Sequence, residues 1–226
     1  MYSDVMLIPI LLAFGLSLWA QFRVKGTFNK WAKVSNLYGL TGHDAARRML
    51  DANGLYDVPI EPVRGALTDH YDPIHRVVRL SEPVYYESSI SAVAVACHEV
   101  GHAIQHKQKY PMLVLRHRMF PLVNFASGIA PFLLLAGFLF GALNLIGLGI
   151  IFFSAAVLFQ IVTLPVEFNA SSRARKVMLE QGFISPNESR GVGKVLNAAA
   201  LTYVAAALIS ILELLRYILI FTSNRE

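Results

Sequence analysis

The chain has 226 residues, of which 55% are hydrophobic and only 15% charged, with a formal net charge of +5. Soluble domains carry about 25% charged residues, so the deficit excludes an ordinary soluble enzyme and points to an integral membrane protein. The single Cys97 excludes an internal disulfide and a four-cysteine zinc site. No Arg-rich or aromatic-interleaved motif is present, which excludes nucleic acid, and the modest positive charge suits the anionic surface of a lipid bilayer.

In chain order, residues 5–22 are the first apolar stretch, uncharged although interrupted by Pro9. A hydrocarbon core about 30 Å thick takes about 20 helical residues to cross. Asp4 stands where a signal peptide would carry basic residues, and no small-residue cleavage site follows, so a retained anchor is expected. Residues 23–118 are expected to form a domain outside the membrane. Within it, Thr41 as N-cap with Asp44 three residues on, an apolar stripe of Ala45, Met49 and Leu50, and a terminal Gly54 predict a helix over 41–53. Residues 58–72 contain Pro59, Pro62 and Gly65 and read as extended or looped. Residues 75–80 are β-branched at their centre and read as a short strand after an Asp72-Pro73 turn. A helix over 89–107 follows, capped by Ser88 or Ser89.

Three further apolar stretches, 119–140, 143–166 and 198–221, complete a set of four expected spans. The segment between the last two, 167–197, reads as a helix ended by Gly182, then a capping box at Ser185-Pro186-Asn187-Glu188 that opens the helix leading into the last span. Four spans put 23–118 and 167–197 on one side, together with Arg23, Lys25, Lys30, Lys33, Arg116, Arg118, Arg173, Arg175, Lys176 and Lys194. The other side has only Arg225 and the N-terminal amine, so the positive-inside rule places the larger segments in the cytoplasm. Inside the last span, Glu213 and Arg216 stand three apart on one face, where they are expected to pair.

The chemistry rests on His98-Glu99-Val100-Gly101-His102. On a helix, His98 and His102 share one face a turn apart, a spacing that lets both imidazoles bind one Zn²⁺. Glu99 is then placed to act as general base. A catalytic zinc site needs a third protein ligand, and the candidates are His106, Glu167, His70, His75, Asp72 and His43. His106 lies one further turn along the helix, too far along the axis to converge on the same ion, and suits a supporting role. Glu167 fits better: Ala170 and Ser171 follow it, small enough for close helix packing, and the Ser171 hydroxyl could support a ligand histidine. The alternative for Glu167 is an ion pair with Arg173 or Arg175; for His70 and Asp72 it is a turn rather than substrate contact.

Thr68-Asp69-His70-Tyr71-Asp72-Pro73, Val78-Arg79-Leu80-Ser81, the block from His98 through His106 and Pro165-Val166-Glu167-Phe168-Asn169-Ala170-Ser171 together resemble the YugP-type bacterial membrane zinc metallopeptidases, the neutral zinc metallopeptidase family. The Glu-Phe-x-Ala pattern is similar, more distantly, to the heat-shock and prenyl-protein membrane zinc proteases, which carry Asp where this chain has Ser171. The resemblance implies a mainly α integral membrane protein of the bacterial cytoplasmic membrane with a small α+β zincin-like cytoplasmic domain, its HExxH helix within 23–118. It also implies one zinc per chain and a polypeptide substrate. His98, His102 and Glu167 are the expected ligands and Glu99 the general base; His70, His106 and Arg173 are candidates for the oxyanion. An intramembrane protease of the site-2 type is disfavoured, because only eight apolar residues, 90–97, precede His98 and Lys107 follows soon after. The reading from another class is a non-hydrolytic membrane scaffold or chaperone-like binder that holds zinc for structure.

Overall fold

Among the described residues, 2–223, the computed structural model has seven α-helices and three short strands: α1 (Tyr2–Ala32), α2 (Gly42–Ala52), β1 (Ile60–Val63), β2 (His70–Asp72), β3 (Val77–Ser81), α3 (Glu82–Tyr86), α4 (Ile90–Lys107), α5 (Pro111–Phe140), α6 (Leu143–Glu180) and α7 (Pro186–Ser223). Arg225 and the N-terminal amine lie outside the described residues. The protein is mainly α, with four helices (α1, α5, α6 and α7) long and apolar enough to cross a membrane.

The chain divides into two units. The first holds α1 up to Ala20, Val114–Pro165 and α7 from Leu201 onward. Its outward side chains include Leu122, Phe125, Phe132, Leu139, Ile151 and Leu158, all exposed. So broad an apolar surface suits a hydrocarbon surrounding rather than water. Glu213 and Arg216 pair within α7 at 3.6 Å.

The second unit comprises Gln21–Leu113 and Val166–Ala200. α2 starts where the sequence places it: the Thr41 hydroxyl accepts from the Asp44 amide at 3.0 Å and the Asp44 carboxylate accepts from the Thr41 amide at 3.3 Å. Its Ala45, Met49 and Leu50 are fully buried, in one core with Val93, Ala96, Cys97 and Val100 of α4 and Val78 and Leu80 of β3. The strand order is β1-β3-β2, with β1 parallel and β2 antiparallel to β3. β3 is therefore the central strand of the sheet, and the segment 58–72, read as extended or looped, supplies both β1 and the edge strand β2. The turn between them forms on Asp72, whose Oδ1 accepts from the amides of Ile74 and His75 at 2.9 and 3.1 Å.

α4 is capped by Ser89, which accepts from the Ala92 amide at 3.1 Å. Most of its residues are buried, so it is a core helix whose polar groups must find partners inside. α6 runs without a break through Pro165, where the sequence suggested a span followed by a separate helix. In this unit it buries Val166, Ala170, Ala174 and Met178, a four-residue repeat that makes one face. That face meets α4 closely: a Cβ added at Gly101 would stand 2.7 Å from the Ala170 carbonyl oxygen. Only glycine at position 101, the fourth of the His98–His102 run, allows this approach.

Candidate metal centre

The crossing of α4 and α6 sets the site. His98 and His102 lie one turn apart with ring centroids 4.8 Å from each other and planes at 85°. Glu167 enters from α6, its Oε2 3.3 Å from His98 Nε2 and 3.6 Å from His102 Nε2. The three side chains retain 14%, 12% and 3% of their exposure, and one ligand atom from each lies within 4.8 Å of the others. Nitrogen and oxygen ligands about 2.1 Å from a tetrahedral zinc stand about 3.4 Å apart, so both measured edges match. Two imidazoles and a carboxylate are also the donor types that zinc takes in catalytic sites.

The surrounding groups hold these side chains in place. Ser171 Oγ lies 3.1 Å from His98 Nδ1. His102 Nδ1 lies 3.0 Å from Gln105 Oε1. Gln105, fully buried, donates through Nε2 to the Val166 carbonyl at 2.8 Å and to Asn169 Oδ1 at 2.9 Å. Neither Gln105 nor Asn169 was singled out from the sequence. The available signal was Gln105 itself, one turn after His102 on a helix too apolar to leave an amide without a purpose.

Glu99 is buried and points toward the sheet, where its Oε2 accepts from the Tyr71 amide at 3.0 Å. That amide lies on the outer edge of β2, because its partner Val78 donates to the Pro59 carbonyl on the opposite side, which leaves Tyr71–Val78 a non-hydrogen-bonded pair. Burial pushes the Glu99 carboxyl up to about 7; the Glu167 and Asp69 carboxylates add to the rise, and His98 and the Tyr71 amide oppose it. Asp69 is itself raised by burial, though its carboxylate accepts from the Ser81 amide at 2.7 Å and from the Ser81 hydroxyl at 3.0 Å.

The remaining candidates are engaged elsewhere. His106 Nδ1 lies 2.9 Å from the Tyr71 hydroxyl, and burial lowers its pKa. His70 is exposed, with Nδ1 2.8 Å from the Thr68 carbonyl. Asp72 meets His75 Nδ1 at 2.7 Å and Arg79 Nη1 at 2.8 Å, contacts that hold its carboxyl well below the usual range. His43 lies 3.3 Å from Asp44. Arg173 donates from Nε to Asn169 Oδ1 at 2.6 Å and from Nη1 to Gln108 Oε1, and its guanidinium stacks 5.8 Å over the Tyr110 ring.

A family model described as "Putative neutral zinc metallopeptidase" matches residues 6–222. The chain belongs to this family. A curated relative of Bacillus subtilis (strain 168), "Putative membrane protease YugP", is 67% identical over 214 residues, covering 95% of this chain and 95% of the relative. No solved structure matches. Membership of a zinc peptidase family implies zinc, and His98, His102 and Glu167 form a group that could hold a metal ion.

Proposed function

We propose that the protein is a membrane-embedded endopeptidase holding one zinc per chain on His98, His102 and Glu167, with Glu99 as general base. The observation that carries this reading is the meeting of the two α4 imidazoles with the α6 carboxylate, beside Glu99 and a sheet edge. Zinc bound there supplies a Lewis acid that polarises a carbonyl and makes water a nucleophile near neutral pH. An extended peptide pairs with the outer edge of β2, taking over the Tyr71 amide that Glu99 Oε2 otherwise holds, since strand edges bind peptides through main-chain hydrogen bonds. Glu99, buried beside the proposed ligands, accepts a proton from the attacking water and returns it to the departing amine. Ser171 steadies His98. Among the groups considered for the oxyanion, His106 sits at the end of the Tyr71 side chain, on the same helix as Glu99.

The cationic residues gathered near the ends of the apolar stretches support a cytoplasmic site in a bacterial membrane. A site in a domain joined directly to spanning helices favours polypeptides held at the same membrane.

Elemental analysis of detergent-purified protein tests the ligand set. Wild type is expected to carry about one zinc per chain, and His98→Ala and Glu167→Ala are expected to lose it. Glu99→Gln keeps the metal and loses cleavage by about 10²–10⁴-fold. Activity in Glu99→Gln equal to wild type would return the scaffold reading to first place.

A further inference from the structure

We infer that Gln105 is a positioning residue that holds His102 in the tautomer directing its Nε2 lone pair at the metal, with its amide oriented by Asn169 and the Val166 carbonyl. Each orientation follows from donor and acceptor chemistry. An Arg side chain only donates, so the atom of Asn169 facing Arg173 Nε at 2.6 Å is the oxygen. That same Oδ1 and the Val166 carbonyl, both acceptors, lie 2.9 and 2.8 Å from the Gln105 amide, so its nitrogen faces them. Gln105 Oε1 is then left facing His102 Nδ1 at 3.0 Å, which a neutral imidazole can satisfy only with its proton on Nδ1. His102 Nε2 therefore presents its lone pair toward Glu167 Oε2, 3.6 Å away. Two electron-rich atoms turned to each other in a buried site suit a cation between them.

The order propagates from a fixed end. Arg173, held by Gln108 and stacked on Tyr110, orients Asn169; Asn169 orients Gln105; Gln105 orients the imidazole. The arrangement spans α4 and α6, so the two helices that carry the three proposed ligands are also tied by the groups behind them. Its consequence for zinc rests on the proposed metal site, whereas the tautomer does not.

Zinc affinity, measured by competition with a chromophoric chelator, and the ¹⁵N resonances of His102 in metal-free protein at pH 8 test the inference. Gln105→Met and Asn169→Leu are expected to bind zinc about 10–100-fold more weakly, while Asn169→Asp, which still accepts from both neighbours, stays within about threefold of wild type. Metal-free wild type is expected to show the Nδ1–H tautomer, and Gln105→Met a mixture. A dominant Nε2–H tautomer in wild type, or wild-type affinity in Gln105→Met, overturns the inference. Should Gln105→Met fail to fold, Asn169→Leu against Asn169→Asp decides. Should wild type bind no zinc, the metal reading fails while the tautomer still tests the role of Gln105.

Discussion

At the scale of single residues, the polar groups separate into those that hold the site and those that hold the strands beside it. Asp72 belongs to the second kind, accepting from two amides, His75 and Arg79 at the β2–β3 turn. Its carboxyl is held below its ordinary 3.8, first by His75. A carboxylate with a depressed folded pKa adds stability above its unfolded pKa and loses it as pH falls through the folded one. Asp72→Asn should therefore melt below wild type at neutral pH. The gap should close as pH falls below about 4. Melting curves of both proteins from pH 7 to the acid limit check this; a gap independent of pH counts against it. The motif residues were legible because an i, i+4 histidine pair is a spacing fixed by helix geometry. Gln105 and Asn169 were not, because an amide states its role only through the partners that tertiary packing brings to it.

At the scale of elements, α4 and α6 owe their closeness to Gly101 and Ala170. Replacing Gly101 by Ala gains about 1 kcal/mol of helix propensity. Against this, the new Cβ would stand 2.7 Å from a backbone carbonyl that cannot swing aside, and overpacking of this kind costs about 1–3 kcal/mol. The packing effect wins, so the expected outcome is a lower melting temperature and, as α6 is pushed away with Glu167, less zinc retained after purification. Wild-type values in both measurements would refute the account. The small residues at 170 and 171 revealed this contact in the sequence. The edge strand β2 stayed hidden: three residues, His-Tyr-Asp, show no hydrophobic alternation, and their pairing depends on β3. Read from the sequence, the span ends at 166 and a helix opens at 167, whereas α6 continues through both.

At the scale of the whole molecule, a bound zinc would link segments far apart in the chain, so the metal should contribute to folding as well as to chemistry. A ligand at about a thousand times its dissociation constant adds about 4 kcal/mol to stability. Treatment with a chelator should lower the melting temperature of wild type and leave Glu167→Ala unmoved, with stoichiometric zinc restoring the first. An identical response of the two proteins would detach the metal from the cluster. Composition revealed the membrane character directly, since a run of about 20 apolar residues has few other uses.

The two histidines precede α5 and the carboxylate follows the apolar part of α6, so two entire apolar stretches separate the halves of the cluster. A growing chain that has emerged only as far as α4 carries His98, Glu99 and His102, but not Glu167, the third of the proposed ligands. Completion waits until residue 167 has been made and α6 has come to rest against Gly101. On the proposed ligand set, the metal site cannot be complete before three of the four apolar helices, α1, α5 and the apolar part of α6, have been made.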